Sequence, residues 1–369
     1  MSASGAERMA FYLRRIATGP EMSKDLTLDE ARDGMALLLE GQVPSVQAAV
    51  FLIALRMKRE SDEENLGVLD AIRNATRFAT VDVNDLADVA DPYDGFSRHL
   101  PASPFLPALL AACGTPTVSH GCDQLGPKFG VTHRQVLAAA GAQVNLTPDE
   151  AAARIDDPRI RWAYVDQRVY CPALNNLAEL RKLIVKRPCL STLEKLSGPI
   201  RARGRTHLWI GYVHRGYERL LSLVGRHAGY ASALIVRGIE GGVIPSLNAP
   251  VDCIAYHEGS PNVQVQLDPR EAGIESSVRA VPLQNVADSE LEVGDDAGDL
   301  ADCAGIAQAA AESGLAALTG QPGPTRDSLV YAAAAFLWHL RRFESVTTAV
   351  AAVRKVLESG AAREHFQNG

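Results

Sequence analysis

The stretch THLWIGYVHRGYERLLSLVGRHAGYASALIVRG (residues 206–238) decides the fold class of this 369-residue chain. Its two ends, THLWIGYVH and SALIVRG, are short β-rich runs. Between them GYERLLSLVGRHAG reads as a helix. Strand, helix and strand in that order predict parallel strands with a helix laid across them. The same alternation continues to either side. ADVADPYDG (87–95) reads as a short strand running into a turn, PFLPALLAACG (104–114) as a helix and TPTVSHG (115–121) as a strand. THRQVLAAAGA (132–142) and NLTPDEAAARI (145–155) are further helices, and CIAYHEG (253–259) and NVQVQLDP (262–269) further strands. DSLVYAAAAFLWHLRRF (327–343) and SVTTAVAAVRKVLESG (345–360) close the chain as two helices, after an acidic stretch (288–302) that reads as a loop or linker.

The N-terminal part is different, with helices expected over 7–18 and 27–75. Thr27 and Glu30 form a capping box, Ser45 is expected to cap the next helix, and Ser61 the third. Short connections between apolar helices predict an antiparallel cluster. The expected fold is therefore α/β, with a small helical domain over 1–80 and a larger domain with a mainly parallel sheet over 81–369. Later helices, at about 172–190, are candidates to join the first domain.

Composition excludes several classes. Hydrophobic residues are 47% and charged residues 22% of the chain, as in ordinary globular proteins. No apolar run is long enough to span a bilayer, and the N-terminus lacks the pattern of a signal peptide, so a cytoplasmic location is expected. Six scattered cysteines without a CxxC pair argue against a disulfide framework or a structural zinc site. The net charge of −7 hides an uneven distribution. Residues 158–227 hold fourteen Lys/Arg against four Asp/Glu, a balance of +10 that leaves −17 for the remainder. Such a block is either the footprint of an anionic ligand or a set of solvated helix faces.

Several segments in order resemble the anthranilate phosphoribosyltransferase family, whose architecture is shared with pyrimidine nucleoside phosphorylases. They are residues 26–67, SHG (119–121) with Lys128 seven residues beyond Gly121, EKLSGPI (194–200), QLDPREAGI (266–274) and residues 331–362. The resemblance implies a cleft between the two domains that holds phosphoribosyl pyrophosphate and Mg2+, and a homodimer joined through the helical domain. It also implies a Gly-Thr-Gly-Gly-Asp-Gly loop, whose bare backbone lets N–H groups approach the pyrophosphate. The matching stretch here is DPYDG (91–95), which keeps only Asp94 and Gly95 of that pattern. Pro92 has no N–H to donate and Asp91 and Asp94 repel phosphate. Arg98 and His99 offer side-chain positive charge instead.

By spacing, the family's Asp-Glu magnesium pair falls on Val243 and Ile244, with Glu240 nearby and expected as an exposed turn residue. Ser119 and Cys122 replace the family's lysine and asparagine around His120 and Gly121, whereas Lys128 and Gly130 remain. Arg187 is the best match to the arginine that meets the aromatic acid. Arg181, Lys182, Lys186, Lys195 and Arg201 are expected to flank the cleft, and His214 lies at a strand end, where open parallel sheets bind ligands. YDG (93–95), HG and TLEKL also resemble a divergent branch of the family that binds nucleic acid.

The expected site is thus Asp94, Gly95, Arg98, His99, His120, Gly121, Lys128, Arg187, Lys195, Arg201 and His214. Its expected ligand bears phosphate, as a nucleotide or nucleic acid, without transfer to anthranilate and with no dedicated metal. The alternative is a phosphoribosyltransferase with an unknown acceptor and Mg2+.

Overall fold

In a computed structural model, residues 3–19, 21–283 and 302–369 are described. The first helices are α1 (Gly5–Ile16), α2 (Leu28–Leu39), α3 (Ser45–Lys58) and α4 (Asp62–Asn74). Ser4, Thr27 and Ser61 each cap a helix, and their backbone N–H groups donate in return to the Glu7, Glu30 and Glu64 carboxylates. Ser45 does not cap: the helix begins at Ser45 itself, Pro44 holds the cap position, and no side chain bonds there. Proline fixes the extended entry backbone, so the serine is already helical.

The chain continues through β1 (Ala79–Val81), β2 (Asp85–Ala90), α5 (Leu106–Ala112), β3 (Thr117–Gly121), α6 (His133–Ala139), α7 (Pro148–Asp156) and β4 (Trp162–Asp166). Four short helices follow: α8 (Gln167–Tyr170), α9 (Pro172–Asn175), α10 (Ala178–Ile184) and α11 (Leu190–Leu193). Next come β5 (Ile200–Ala202), β6 (Arg205–Gly211), α12 (Tyr217–His227), β7 (Ser232–Val236), β8 (Val251–His257) and β9 (Val263–Leu267). The last helices are α13 (Cys303–Ala317), α14 (Pro324–His339), α15 (Val346–Glu358) and α16 (Ala361–Asn368).

Seven strands form one sheet in the order β4-β3-β2-β6-β7-β8-β9, and β1 pairs with β5 in a separate parallel ribbon. The strands from β4 to β7 are parallel, while β8 and β9 are antiparallel additions. The decisive stretch is therefore β6-α12-β7, with Leu208 paired to Ala233 and Ile210 to Ile235.

Alternation along β6 explains why both faces are covered. Leu208 and Ile210 enter a core shared with the N-terminal helices, whereas Trp209 enters the opposite core under α5 and α13 to α16. There its ring stacks on Phe336 with centroids 4.7 Å apart. Because one of the two cores runs continuously into α1 to α4, the helical domain and the sheet share apolar packing. The short helix α10 also lies against α3. The acidic stretch lies outside the described residues except for Asp302, which caps α13 by accepting from Gly305 N. Among the described residues, no helix is long and apolar enough to cross a membrane.

Candidate functional site

The parallel strands deliver their C-terminal ends to one rim: Ala90, Gly121, Asp166, Gly211 and Val236. The loop after β2 is fixed there by its own polar residues. Asp91 is buried and accepts from Val243 N at 2.8 Å, from His133 Nε2 at 2.7 Å and from the Ser103 hydroxyl. Burial pushes its carboxyl up, but the His133 imidazole and these bonds outweigh that and hold it below the usual range. Gly95 has φ +76°, and a Cβ there would lie 2.5 Å from the carbonyl carbon and oxygen of Gly130. The close approach lets Phe96 and Val131 exchange backbone bonds at 2.9 and 2.7 Å. Lys128 Nζ then donates to Gly95 O at 2.7 Å.

Glu240 completes this loop, contrary to its reading as an exposed turn residue. Its side chain is only 8% exposed. The carboxylate accepts from Ser97 N at 2.9 Å, Arg98 N at 2.9 Å, Ser97 Oγ at 3.3 Å and Lys128 Nζ at 2.5 Å. His99 Nδ1 lies 3.2 Å from Oε1. Burial pushes the Glu240 carboxyl up, but His99, Lys128 and the Ser97 amide hold it far below the ordinary range. Two consecutive backbone N–H groups converging with an ammonium make an anion nest. Here the anion is the chain's own side chain.

Beneath the loop, Tyr93 is buried in a chain of polar rings. Its hydroxyl meets His120 Nδ1 and lies 2.5 Å from the Tyr170 hydroxyl. His120 Nε2 is 2.8 Å from Asp88 Oδ1, and Tyr230 donates to Asp88 Oδ2 at 2.6 Å. An acceptor on Asp88 assigns the proton to His120 Nε2, which leaves Nδ1 to accept from Tyr93. His120 is thus an internal member of the network, with its side chain fully enclosed. Gly121 lies within the sheet, where a Cβ would come 3.3 Å from the Tyr164 hydroxyl.

The remaining expected residues divide into two groups. Arg187 reaches the loop, with Nε donating to Asp94 Oδ2 at 2.9 Å. Lys195 is buried beside it and donates to Gly211 O at the end of β6, at 2.7 Å. Burial pushes its ammonium down to about 8 against the pull of Asp91, Asp94 and Glu194. His214 is exposed at the same rim, with its ring 6.5 Å from that of Tyr217. Arg201 is not brought to the loop; it stacks over the Tyr230 ring at 4.2 Å and donates to Ala228 O.

The basic block is likewise dispersed. Arg181 forms a buried fork with Glu194 at 2.6 and 3.0 Å. Arg203 pairs with Asp82, and Arg205 with Asp85 at the opposite ends of the strands. Lys182, Lys186 and Arg215 are exposed, as is Arg237, which follows β7 and donates to Val213 O at 3.3 Å.

Glu240 in its nest and the Tyr93–His120 network escape sequence reading because each depends on contacts across more than twenty residues. The one available signal is the RGIEGG run (237–242), where a charged residue sits among glycines. The position of the family's magnesium pair does not fit a cation. Val243 and Ile244 are buried and apolar, and Glu240 is already engaged. Among the described residues, no cluster of His, Cys, Asp or Glu could hold a metal ion.

Comparison with known proteins places this geometry. Residues 11–76 match the helical bundle domain of a glycosyl transferase family, and residues 102–363 match its α/β domain. The chain is 28% identical over 349 residues to an anthranilate phosphoribosyltransferase of Rhodococcus jostii, covering 92% of this chain and 87% of that protein. It is 29% identical over 355 residues to one of Methylobacterium radiotolerans, covering 95% and 92%. A solved anthranilate phosphoribosyltransferase from Thermus thermophilus superposes with a TM-score of 0.70 at 23% identity, over 94% of this chain and 95% of that one. The Saccharomyces cerevisiae protein, solved with PRPP and Mg, superposes at 0.74 and 13% identity, over 97% and 96%.

Proposed function

The chain belongs to the glycosyl transferase family built from a helical bundle domain and an α/β domain, and we propose that it binds a phosphate-bearing ligand without transferring phosphoribose to anthranilate. The observation that carries this reading is the rim of cations around a loop no longer built as a pyrophosphate cradle. Lys128 and Arg187 bond to residues 95 and 94 of that loop, Lys195 meets the end of β6, and exposed Arg215 and Arg237 follow β6 and β7, while Val243 and Ile244 supply no carboxylates for a metal. A ribosyl transition state needs its leaving pyrophosphate neutralised, and losing even one such contact costs roughly 10²–10³ in rate. Binding of a nucleotide or nucleic-acid phosphate needs only the cations, and it weakens steeply with salt as counterions are released.

A second reading, phosphoribosyl transfer to a different acceptor, is favoured by the survival of Lys128, Gly130 and the Asp94-Gly95 ending. Titration calorimetry at 50 mM salt with phosphoribosyl pyrophosphate and Mg2+, and separately with a short single-stranded oligonucleotide, separates the two. Heat with the oligonucleotide that fades by 200 mM salt supports binding. Heat with the sugar pyrophosphate and Mg2+, followed by pyrophosphate release on adding an amine acceptor, moves the protein to the second reading. Silence in both titrations ends both.

The same proposal includes a second copy of the chain on the helical domain. A groove of about 660 Å³ between α1, α3 and α10 is lined by Ile16, Val46, Val50, Ile53, Met57 and Leu183. Val46, Met57 and Leu183 are 72%, 76% and 79% exposed, an apolar surface that association would cover. Light scattering of the native protein and of Met57→Lys checks it: a dimer reduced to monomer agrees, and a native monomer refutes it.

A further inference from the structure

We infer that Glu240 is a built-in competitor for the phosphate position and thereby sets which ligands this site accepts; the inference rests on the reading of a phosphate-bearing ligand. Three features of the loop lead to it. The donor set around the Glu240 carboxylate is that of a phosphate site: the Ser97 and Arg98 amides, the Ser97 hydroxyl, the Lys128 ammonium and the His99 ring. Phosphate accepts from such a nest as a carboxylate does, with one more oxygen and a greater charge.

The backbone that delivers Glu240 is held in an unfavourable shape. Glu240 has φ +50° and ψ +25°, a left-handed conformation that a glutamate adopts at a cost. Its bonds into the nest supply the compensation. Gly238, Gly241 and Gly242 flank it, with φ +83° at Gly241. A Cβ on Gly238 would lie 1.8 Å from Gly242 O, so only glycine permits the tight return that aims the side chain inward. The strain and the glycines make release of the carboxylate a local event, confined to a few residues.

The Lys128 amine is also accounted for in this way. A mostly enclosed lysine needs a partner, and its two acceptors are Gly95 O and Glu240. With the carboxylate removed, two amides and an ammonium are left facing one small space. A ligand phosphate that enters must displace Glu240, so the native site favours ligands held at the outer cations over those needing the nest.

The test compares the native protein with Glu240→Ala and Glu240→Gln, using inorganic phosphate as the probe. Titration calorimetry at 50 mM salt is run alongside thermal melts with and without 10 mM phosphate. Glu240→Ala is expected to bind phosphate at least tenfold more tightly than the native chain, and phosphate is expected to raise the melting temperature of the variant only. Adding Lys128→Ala to Glu240→Ala should abolish the gain. Should Glu240→Ala fail to fold, Glu240→Gln carries the test, because it removes the charge and keeps the shape; its gain is expected to be smaller and equally dependent on Lys128.

A folded variant that binds phosphate no better than the native protein overturns the inference. The oligonucleotide titration of the native protein reports separately on the functional reading. Native binding with no gain in the variants removes only the role given to Glu240. A gain in the variants with no native binding removes the functional reading and leaves the competitor in place.

Discussion

Replacing His339 with Gln should make this fold measurably less sensitive to acid. His339 ends α14 in the core beneath the sheet, 4% exposed, with Nε2 3.0 Å from Ser232 Oγ. His207 Nδ1 approaches the same hydroxyl at 2.8 Å, and the His257 ring stacks on His339 at 4.7 Å. The carboxylate in the group is Asp85, at 3.0 Å from His207 Nε2, and it also serves Arg205 and Arg342. Burial, then the neighbouring His257, His207 and Arg341, push His339 down to about 3 from its ordinary 6.5. The group therefore stays neutral in the folded chain while the unfolded chain takes up a proton. Above pH 6.5 neither state is protonated and the histidine costs nothing. Below it, stability falls progressively until pH reaches about 3, where the folded state protonates as well. At pH 5 the loss from this one residue is about 2 kcal/mol, at ~1.4 kcal/mol per pH unit below 6.5. Urea unfolding at pH 7 and pH 5 measures it, with carboxylate contributions cancelling between native protein and variant. The native chain should lose about 2 kcal/mol more than His339→Gln over that interval. Equal losses would refute the reasoning, because they would mean that the buried imidazole protonates without resistance.

Arg181→Ala should destabilise by about 3–5 kcal/mol, because it leaves the buried Glu194 carboxylate without its fork. A variant with the urea midpoint of the native protein would contradict that, and Arg181→Met with Glu194→Leu should recover most of the loss. Gly95→Ala should cost about 1–3 kcal/mol from its left-handed backbone alone. The contact with Gly130 should also loosen the Phe96–Val131 pair, which hydrogen exchange of those two amides reads directly; unchanged protection would count against it.

The fold was legible where periodicity and caps act locally. Residues 206–238 announce β6, α12 and β7, and Thr27 and Ser61 announce two helix starts through bonds spanning three residues. WAYVD (162–166), the edge strand β4, gives no clear strand signal, because five residues buried on both faces show no alternation. Helix α13 is hard to read from sequence because alanine and glycine give it little amphipathic contrast. At the site, sequence distinguished what is missing from the family's loop but could not distinguish which charges meet. Glu240 lies more than a hundred residues from Lys128 and Ser97, and no local rule pairs them. The basic block failed as a predictor of one groove for a similar reason: seven of its fourteen basic residues pair with acids, among them Asp82, Asp85 and Glu194.

The two departures from the family pattern, at 91–95 and at 243–244, are one change. Val243 is fully buried, and its amide donates to Asp91 at 2.8 Å, while a Cβ on Gly242 would stand 3.1 Å from the same Asp91 oxygen. An acidic residue at 243 would bury a second carboxylate beside Asp91, where desolvation and like charge both oppose it. Conversely, loss of the Asp91 carboxylate would remove the acceptor that holds Val243 N, His133 and Ser103 together. The Asp91 loop and the apolar pair at 243–244 therefore require each other. Glu240, three residues before that pair, is the carboxylate that this arrangement still accommodates, because Lys128 meets its charge. A site rebuilt this way neutralises its lysine from within, and an incoming phosphate must bring enough affinity from the outer cations to replace that partner.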